Sequence, residues 1–259
     1  AGTASMVYAN KLDQGIASIG IGQNGFRRTL LAKSTPIGDA NLLYALELFR
    51  NDGPFTRPDD YRKINGILRY GQGNEANGFN VTAMAYRGTW NATDQIAKRA
   101  VDSGQIGRFD AIDPTDGGKV HRYSLSSAWH QTTAAGSTHI NAYVVHNKLD
   151  LYSNFTYFLE DPVNGDQIRQ RENRNLYSYN GSYQKDYVLG NIKTQTIAGI
   201  QLRYDAINDI ELTRTKNRTT TTADIMFGDV REFNGGAYWS QKFMLSKKLD
   251  ITSGLRYDY

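Results

Sequence analysis

Strict alternation of apolar and polar residues recurs along most of the chain, a pattern typical of β-strands whose two faces meet different surroundings. In residues 249–259 one face carries Leu, Ile, Ser, Leu, Tyr and Tyr, while the other carries Asp, Thr, Gly, Arg and Asp. The same pattern marks eleven segments, at 15–22, 26–34, 41–51, 61–72, 78–89, 120–130, 138–152, 170–184, 193–205, 230–245 and 249–259. Helical periodicity is limited to one short candidate at 94–103, so the sequence predicts an all-β chain.

The connections between these segments alternate in size. Short connections lie at 35–40, 73–77, 131–137, 185–192 and 246–248; long ones lie at 90–119, 153–169 and 206–229, with an intermediate one at 53–60 and a tight turn at 23–25. An antiparallel up-and-down meander with short turns at one end and long polar loops at the other is what a transmembrane β-barrel requires. Single-chain bacterial barrels have an even number of strands, so an odd count predicts part of a larger barrel.

Composition excludes several other classes. The chain has no cysteine, which excludes a disulfide framework, a thiolate metal site and a cysteine nucleophile. Its formal net charge of +4 is spread along the sequence, so no nucleic-acid partner is expected. No apolar run approaches the roughly 20 residues of a membrane-spanning helix, and residues 1–8 lack the pattern of a signal peptide. No catalytic constellation of Ser, His and Asp or of paired carboxylates is recognisable, and we do not expect an enzyme.

Several segments together resemble the TonB-dependent outer-membrane receptors. Residues 1–8 (AGTASMVY) resemble the last strand of the plug domain, residues 17–28 (ASIGIGQNGFRR) the first barrel hairpin, and residues 42–55 (LLYALELFRNDGPF) the third strand and its exit. Further similar segments are WNATDQI at 90–96, RFDAIDPTDGG at 108–118 and LYSNFTYFLEDPVNGDQ at 151–167.

The resemblance implies two regions. Residues 1–14 would be the C-terminal end of the plug with its linker, and residues 15–259 the N-terminal half of the barrel, about 11 of 22 strands. It also implies the outer membrane of a Gram-negative bacterium, contact with outer-membrane lipid and lipopolysaccharide, and engagement of the TonB complex through the plug of the parent protein. The implied function is energy-coupled uptake of a scarce small-molecule nutrient, such as a ferric siderophore.

The long loops carry the candidate ligand-binding residues. Aromatic and cationic side chains suit a ferric chelate or another anionic or ring-bearing ligand, and the alternative is that they pack the loops together. Carboxylates in the same loops offer hard oxygens to a calcium ion, although the Asp-Pro and Asn-Gly steps are also typical of turns, which we favour. The candidates are Trp90, Arg108, Phe109, Asp113, Asp116, Phe155, Tyr157, Asp161 and Asp166.

Other interpretations stay open. A small self-contained outer-membrane barrel, either a porin or a hydrolase, and a soluble all-β sandwich share the strand pattern. The segment 20–25 matches G-x-G-x-x-G, but its Asn-Gly step predicts a hairpin rather than the helix that dinucleotide binding needs. The histidines lack an accompanying carboxylate at metal-ligand spacing, so no metal site is predicted there.

Overall fold

The computed structural model describes residues 8–74 and 76–259, and its strands form a single antiparallel sheet. The strands are β1 (Ile16–Ile21), β2 (Arg27–Ile37), β3 (Ala40–Asn51), β4 (Tyr61–Gly73), β5 (Asn77–Asn91), β6 (Gly117–Thr133), β7 (Gly136–Ser153), β8 (Ile168–Leu189), β9 (Ile192–Lys216), β10 (Thr220–Ser246) and β11 (Leu249–Asp258). Each strand pairs with the next along the chain. This order confirms the predicted all-β, up-and-down meander.

The sheet is open. Among the described residues, β1 and β11 pair on one side only and form its two edges. The apolar side chains of β11 are largely uncovered, with Leu255 76% and Tyr257 70% exposed. An unpaired strand edge next to exposed apolar side chains is a surface on which another strand can pair.

The two faces of the sheet differ in chemistry, as the alternation predicts. Directly opposed residues form a row across six strands on one face, Ala83, Leu125, Val144, Tyr177, Tyr204 and Phe233. The adjacent row on the other face is Thr82, Ser126, Tyr143, Ser178, Arg203 and Asn234. We call these the apolar face and the polar face. Large side chains of the apolar face are exposed over several strands, which is unusual for a water-soluble monomer.

The predicted long connection at 206–229 is wrong. Strands β9 and β10 continue through this region and meet at a turn of three residues, 217–219, where Asn217 and Arg218 adopt positive φ angles of 56° and 60°. The register between the two strands shifts three times: β10 has an extra residue at Thr221/Ala223 and at Asp224/Met226, and β9 has an extra residue between Ile207 and Ile210, opposite Gly228/Val230. Each irregularity moves the following side chains to the opposite face, so the period of two is lost although the strand continues.

The remaining connections keep the predicted asymmetry. Residues 92–116 and 154–167 form long loops at one rim, and the connections at the other rim are short turns; we call the first the loop rim. The helix α1 (Lys98–Asp102) lies inside the predicted helical segment. No helix among the described residues is long and apolar enough to cross a membrane.

The segment before β1 lies against the polar face. The backbone N–H of Leu12 donates to Ser34 Oγ at 2.8 Å, and Arg69 donates to Asn10 Oδ1 at 2.7 Å. Arg69 is 8% exposed and also donates to Thr82 Oγ1 at 2.6 Å. The predicted plug end at 1–14 falls partly on residues 1–7, which lie outside the described residues; residues 8–14 are anchored to the wall.

Candidate functional site

Three connections of the loop rim converge on one buried polar network. The loop 92–116 ends immediately before β6, the loop 154–167 joins β7 to β8, and the turn 217–219 caps the long β9–β10 hairpin. Asn154 and Gln167, the first and last residues of the middle loop, are each 1% exposed. Because both sit where a strand ends, the sheet itself fixes their positions.

Gln167 links all three connections. Its amide nitrogen donates to Thr115 Oγ1 at 2.7 Å and to Asp116 Oδ1 at 3.0 Å. Its amide oxygen accepts from Thr215 Oγ1 and from the backbone N–H of Arg218, each at 3.0 Å. Because both the donor and the acceptor of this buried amide form hydrogen bonds, the amide stabilises one arrangement of the residues around it.

Asn154 completes the network from the other end of the loop. Its backbone N–H donates to Asp116 Oδ2 at 3.1 Å, and its amide nitrogen donates to Asp113 Oδ2 at 2.8 Å. The amide oxygen accepts from the backbone N–H of Tyr157 at 2.8 Å, where Tyr157 has a φ of 61°. The left-handed conformation of a tyrosine is costly and is held here by the surrounding bonds.

Among the carboxyl groups of the loops, Asp116 has the largest pKa shift. Burial, together with the neighbouring carboxylates of Asp94 and Asp113, raises the pKa of Asp116 to about 8, although the hydrogen bond from Gln167 acts to lower it. The side chain is 1% exposed, so its charged form is poorly solvated. At neutral pH the group therefore carries its proton for most of the time.

Arg218 reaches the network from the tip of the β9–β10 hairpin. Its guanidinium donates to the backbone carbonyls of Thr115 and Asp116 and lies 5.6 Å from the ring centroid of Tyr152. Burial and the nearby Arg57 lower the pKa of Arg218. Nothing in the sequence pattern singled out this residue, because the region was expected to be a long loop.

The candidate carboxylates of the loop 154–167 accept hydrogen bonds from the backbone of the same loop. Asp166 accepts from the backbone N–H groups of Leu159, Glu160 and Asp161 at 2.8–3.0 Å. Burial raises its pKa, but the hydrogen bonds outweigh burial and hold the pKa below its usual value. Asp161 accepts from the backbone N–H of Asn164 at 2.9 Å, and that bond lowers its pKa. Such bonding is typical of turns.

No three acidic or histidine side chains converge on a possible metal position within residues 8–74 and 76–259. Calcium binding, the less favoured interpretation of these carboxylates, is not tested by this arrangement; Asp161 and Asp166 accept hydrogen bonds within their own loop.

Two of the four predicted aromatic residues, Phe109 and Phe155, lie exposed at the surface of the loops, and Trp90 and Tyr157 are half-buried. Phe155 is 69% and Phe109 47% exposed, and the Arg108 guanidinium lies 5.9 Å from the Phe109 ring centroid. The Trp90 ring packs over Gly118, where a Cβ would come within 2.9 Å of it. The structure thus brings Asp113, Asp116 and Tyr157 into the buried network and leaves Phe109 and Phe155 uncovered beside it.

A recess of about 560 Å³ opens between the connection 52–60 and the loop 92–116. Apolar residues line most of it, together with Thr56, Arg57, Gln105 and Asp110. One guanidinium nitrogen of Arg57, Nη1, is buried and has no hydrogen-bond partner among the described residues. The other, Nη2, donates to Asn91 Oδ1 at 3.3 Å. Arg57 sits in the intermediate connection, where no sequence motif identifies it.

The sequence matches no family model and no curated protein sequence. Solved structures do match in fold. The chain aligns with the ferric citrate transporter FecA in its unliganded form at a TM-score of 0.68 and 12% identity, covering 94% of this chain and 36% of that one. The FpvAI–pyocin S2 complex matches at a TM-score of 0.63 and 12% identity, covering 94% and 37% of the two chains.

The ferric yersiniabactin uptake receptor FyuA from Yersinia pestis matches at a TM-score of 0.57 and 15% identity, covering 94% of this chain and 38% of that one. These proteins are transporters and receptors rather than enzymes. The chain spans little more than a third of the length of each. Its fold is similar to that of about a third of each of these TonB-dependent receptors.

Proposed function

We propose that the chain supplies wall strands and ligand-collecting loops to an outer-membrane receptor that takes up a scarce nutrient with energy from the TonB complex. The observation that carries the proposal is that the sheet has an apolar face and also, at one rim, two long loops and a hairpin turn joined by hydrogen bonds. An apolar face of this extent suits hydrocarbon, and loops at a single rim suit capture of a ligand from outside. In this role the chain performs no covalent chemistry.

The recess beside Arg57 is the proposed ligand contact. Asn91 Oδ1 accepts from Arg57 Nη2 at 3.3 Å and from Arg218 Nη2 at 3.4 Å, so two guanidinium groups lie close together there. A buried guanidinium nitrogen without a partner favours an anionic acceptor. The volume falls in the range of small-molecule sites. Ferric citrate and ferric yersiniabactin, named for two of the structural neighbours, are metal chelates, and we propose a ferric chelate with carboxylate groups here.

The anchored segment 8–14 fits the proposed link to a plug. Its bonds from Arg69 to Asn10 and from Leu12 to Ser34 place it on the polar face, which is the lumen side when the apolar face meets lipid. In this arrangement residues 1–14 lead from the plug to β1, and TonB would act through the plug of the parent protein.

Uptake by cells tests the proposal. Cells that lack their own iron receptors would carry the complete natural gene, and accumulation of labelled ferric citrate, a ferric hydroxamate and a ferric catecholate would be measured with and without TonB. We expect TonB-dependent accumulation of a carboxylate chelate. Accumulation that is unchanged without TonB would indicate a passive pore and contradict the proposal.

Variants of two arginines locate the ligand contact. Arg57→Ala should reduce uptake, and Arg57→Lys should restore part of it because the charge is kept. The matched control is Arg62→Ala, because Arg62 is exposed and already paired with Asp60 at 2.8 Å. If both alanine variants transport like the natural protein, the recess is not the contact.

A further inference from the structure

Six asparagines of the chain are followed directly by glycine, at positions 24, 65, 77, 164, 180 and 234. An asparagine in such a step can lose its side-chain amide, because the nitrogen of the next residue attacks the amide carbon and glycine has no side chain to hinder the attack. The sequence gives all six steps the same following residue and therefore a similar intrinsic reactivity. The structure separates one of them from the other five.

In five of these steps the fold holds the glycine nitrogen. Gly66, Gly78 and Gly181 lie inside strands and pair with a neighbouring strand on both sides. The N–H groups of Gly165 and Gly235 each donate to a backbone carbonyl at 2.9 Å. A nitrogen held in this way must leave its ladder or turn before it can attack a side chain.

The sixth step, Asn24 and Gly25, lies in the tight turn between β1 and β2. Both residues have positive φ angles, 55° and 68°, as in a type I′ hairpin turn. The N–H of Phe26 donates to the carbonyl of Gln23 at 3.1 Å and closes the turn. Among the residues that the structure describes, neither the Gly25 N–H nor the Asn24 side chain has a hydrogen-bond partner. Asn24 is exposed, so water reaches the reacting groups.

The neighbouring connection supplies a hydrogen bond that favours the attack. The backbone N–H of Asp52 donates to the carbonyl oxygen of Asn24 at 2.7 Å. This oxygen belongs to the same peptide group as the Gly25 nitrogen, and it gains negative charge when that nitrogen loses its proton. A donor that is already in place stabilises the developing charge.

We propose that Asn24 is a site of spontaneous deamidation in the folded protein. The Gly25 nitrogen loses its proton and forms a bond to Cγ of Asn24, the bond from Cγ to Nδ2 breaks, and the side-chain nitrogen leaves as ammonia. One water molecule then opens the cyclic imide. Addition at the side-chain carbonyl gives aspartate, and addition at the main-chain carbonyl gives isoaspartate. The reaction is independent of the proposed transport function.

The product brings a new carboxylate next to acidic side chains. The carboxylate of Asp52 lies so close to Gly25 that a Cβ there would collide with it. Arg50 pairs with Asp52 at 3.5 Å and with Asp60 at 3.1 Å, so one cation already serves two acids. An added negative charge should therefore loosen the connection 52–60 through repulsion.

The test compares the rates of deamidation at the six steps. The complete natural protein, folded in detergent micelles, is held at mildly alkaline pH, and peptide mass spectrometry follows the gain of one mass unit at each asparagine. We expect Asn24 to react about tenfold faster than any of the other five, because their glycine nitrogens must first be released. The control is the same protein unfolded in urea, in which all six steps should react at similar rates.

Two results would overturn the assignment. The first is a folded protein in which another Asn-Gly step reacts as fast as Asn24. The second is a preference for Asn24 that is equally large in urea, since it would then come from the local sequence and not from the turn. A preference for Asn24 that appears only in the folded protein supports the proposal.

Two substitutions isolate the effect of the new charge. Asn24→Asp reproduces one product, and Asn24→Gly is neutral and accepts the positive φ angle. Amide exchange in 52–60 should be about fivefold faster in the aspartate variant, as expected for like charges near a protein surface, and added salt should reduce the difference. Equal exchange in the two variants would overturn the predicted loosening of the connection.

Discussion

The amide nitrogen of Gln167 lies 3.0 Å from a carboxyl oxygen of Asp116, and this contact joins the loops that follow β5 and β7. The same amide also reaches Thr115, Thr215 and Arg218. A single side chain therefore connects three separate segments, and its removal leaves several buried groups without partners.

Gln167→Ala should loosen all three connections of the loop rim. Loss of the amide should cost about 2 kcal/mol of local stability, which corresponds to roughly thirtyfold faster amide exchange in 154–167 and 217–219. Hydrogen exchange followed by mass spectrometry measures this. Gln105→Ala is the control, because the Gln105 side chain makes no hydrogen bond with the described residues and lies on the exposed side of the loop 92–116. Similar exchange in the two variants would contradict the proposed role of Gln167.

The loop network should weaken as pH rises. The pKa of Asp116 is about 8 in the folded loops, whereas a carboxyl of an unfolded chain titrates near 4. The folded state therefore favours the protonated form. The stability that this gives is fully present below about pH 4 and is lost as pH rises through 8.

Limited trypsin digestion in the loops, at pH 6 and pH 9 with a correction for enzyme activity, checks the direction. Asp116→Asn should remove most of the difference, since the amide is neutral at both pH values. Cleavage that is slower at pH 9 in the natural protein would show that Asp116 titrates in the opposite sense.

A charge on the apolar face should impair membrane insertion. Leu125→Lys should destabilise the folded state in lipid by about 2–4 kcal/mol if the residue lies near the middle of the bilayer. Ser126→Lys, one residue further on and on the polar face, is the matched control and should cost much less. Urea unfolding from vesicles of the complete natural protein, followed by tryptophan fluorescence, gives the difference. Equal losses would argue against a lipid-facing apolar face.

Exposed aromatic side chains of the loops should contribute to ligand affinity rather than stability. Phe155→Ala should weaken binding of the proposed ferric chelate about threefold to tenfold, the usual effect of an aromatic contact. Val163→Ala is the control, because Val163 is 76% exposed in the same loop. Fluorescence quenching titrations measure both. Unchanged affinity in the Phe155 variant would remove this residue from the ligand-contact set.

The fold was largely predictable because side-chain alternation is a local property of a half-buried strand. The failure at 206–229 has a specific cause. Three register shifts along the β9–β10 hairpin, two in β10 and one in β9, interrupt the alternation while the strands continue, and the Thr-rich composition of 219–222 suits both a strand and a loop. A pattern of period two gives no signal across such irregularities.

The site was only partly predictable. Asp113 and Asp116 were identified from their oxygen chemistry, and the structure places both in the buried network. Asn154 and Gln167 were missed because an amide at a strand end has no periodic signature. Arg57 and Arg218 were missed because each is notable only for its buried guanidinium. The loops that bury these guanidinium groups are distant from them in the sequence.

The reach of Arg218 has a mechanical consequence for the loop rim. Its guanidinium holds the backbone carbonyls of Thr115 and Asp116 from a hairpin that belongs to strands three and four positions further round the wall. A force applied to any one of the three connections, the two long loops or the hairpin turn, is therefore shared by the other two. Displacement of one of these connections is therefore passed to the other two, and under the proposed function a ligand that contacts one of them would act on all three.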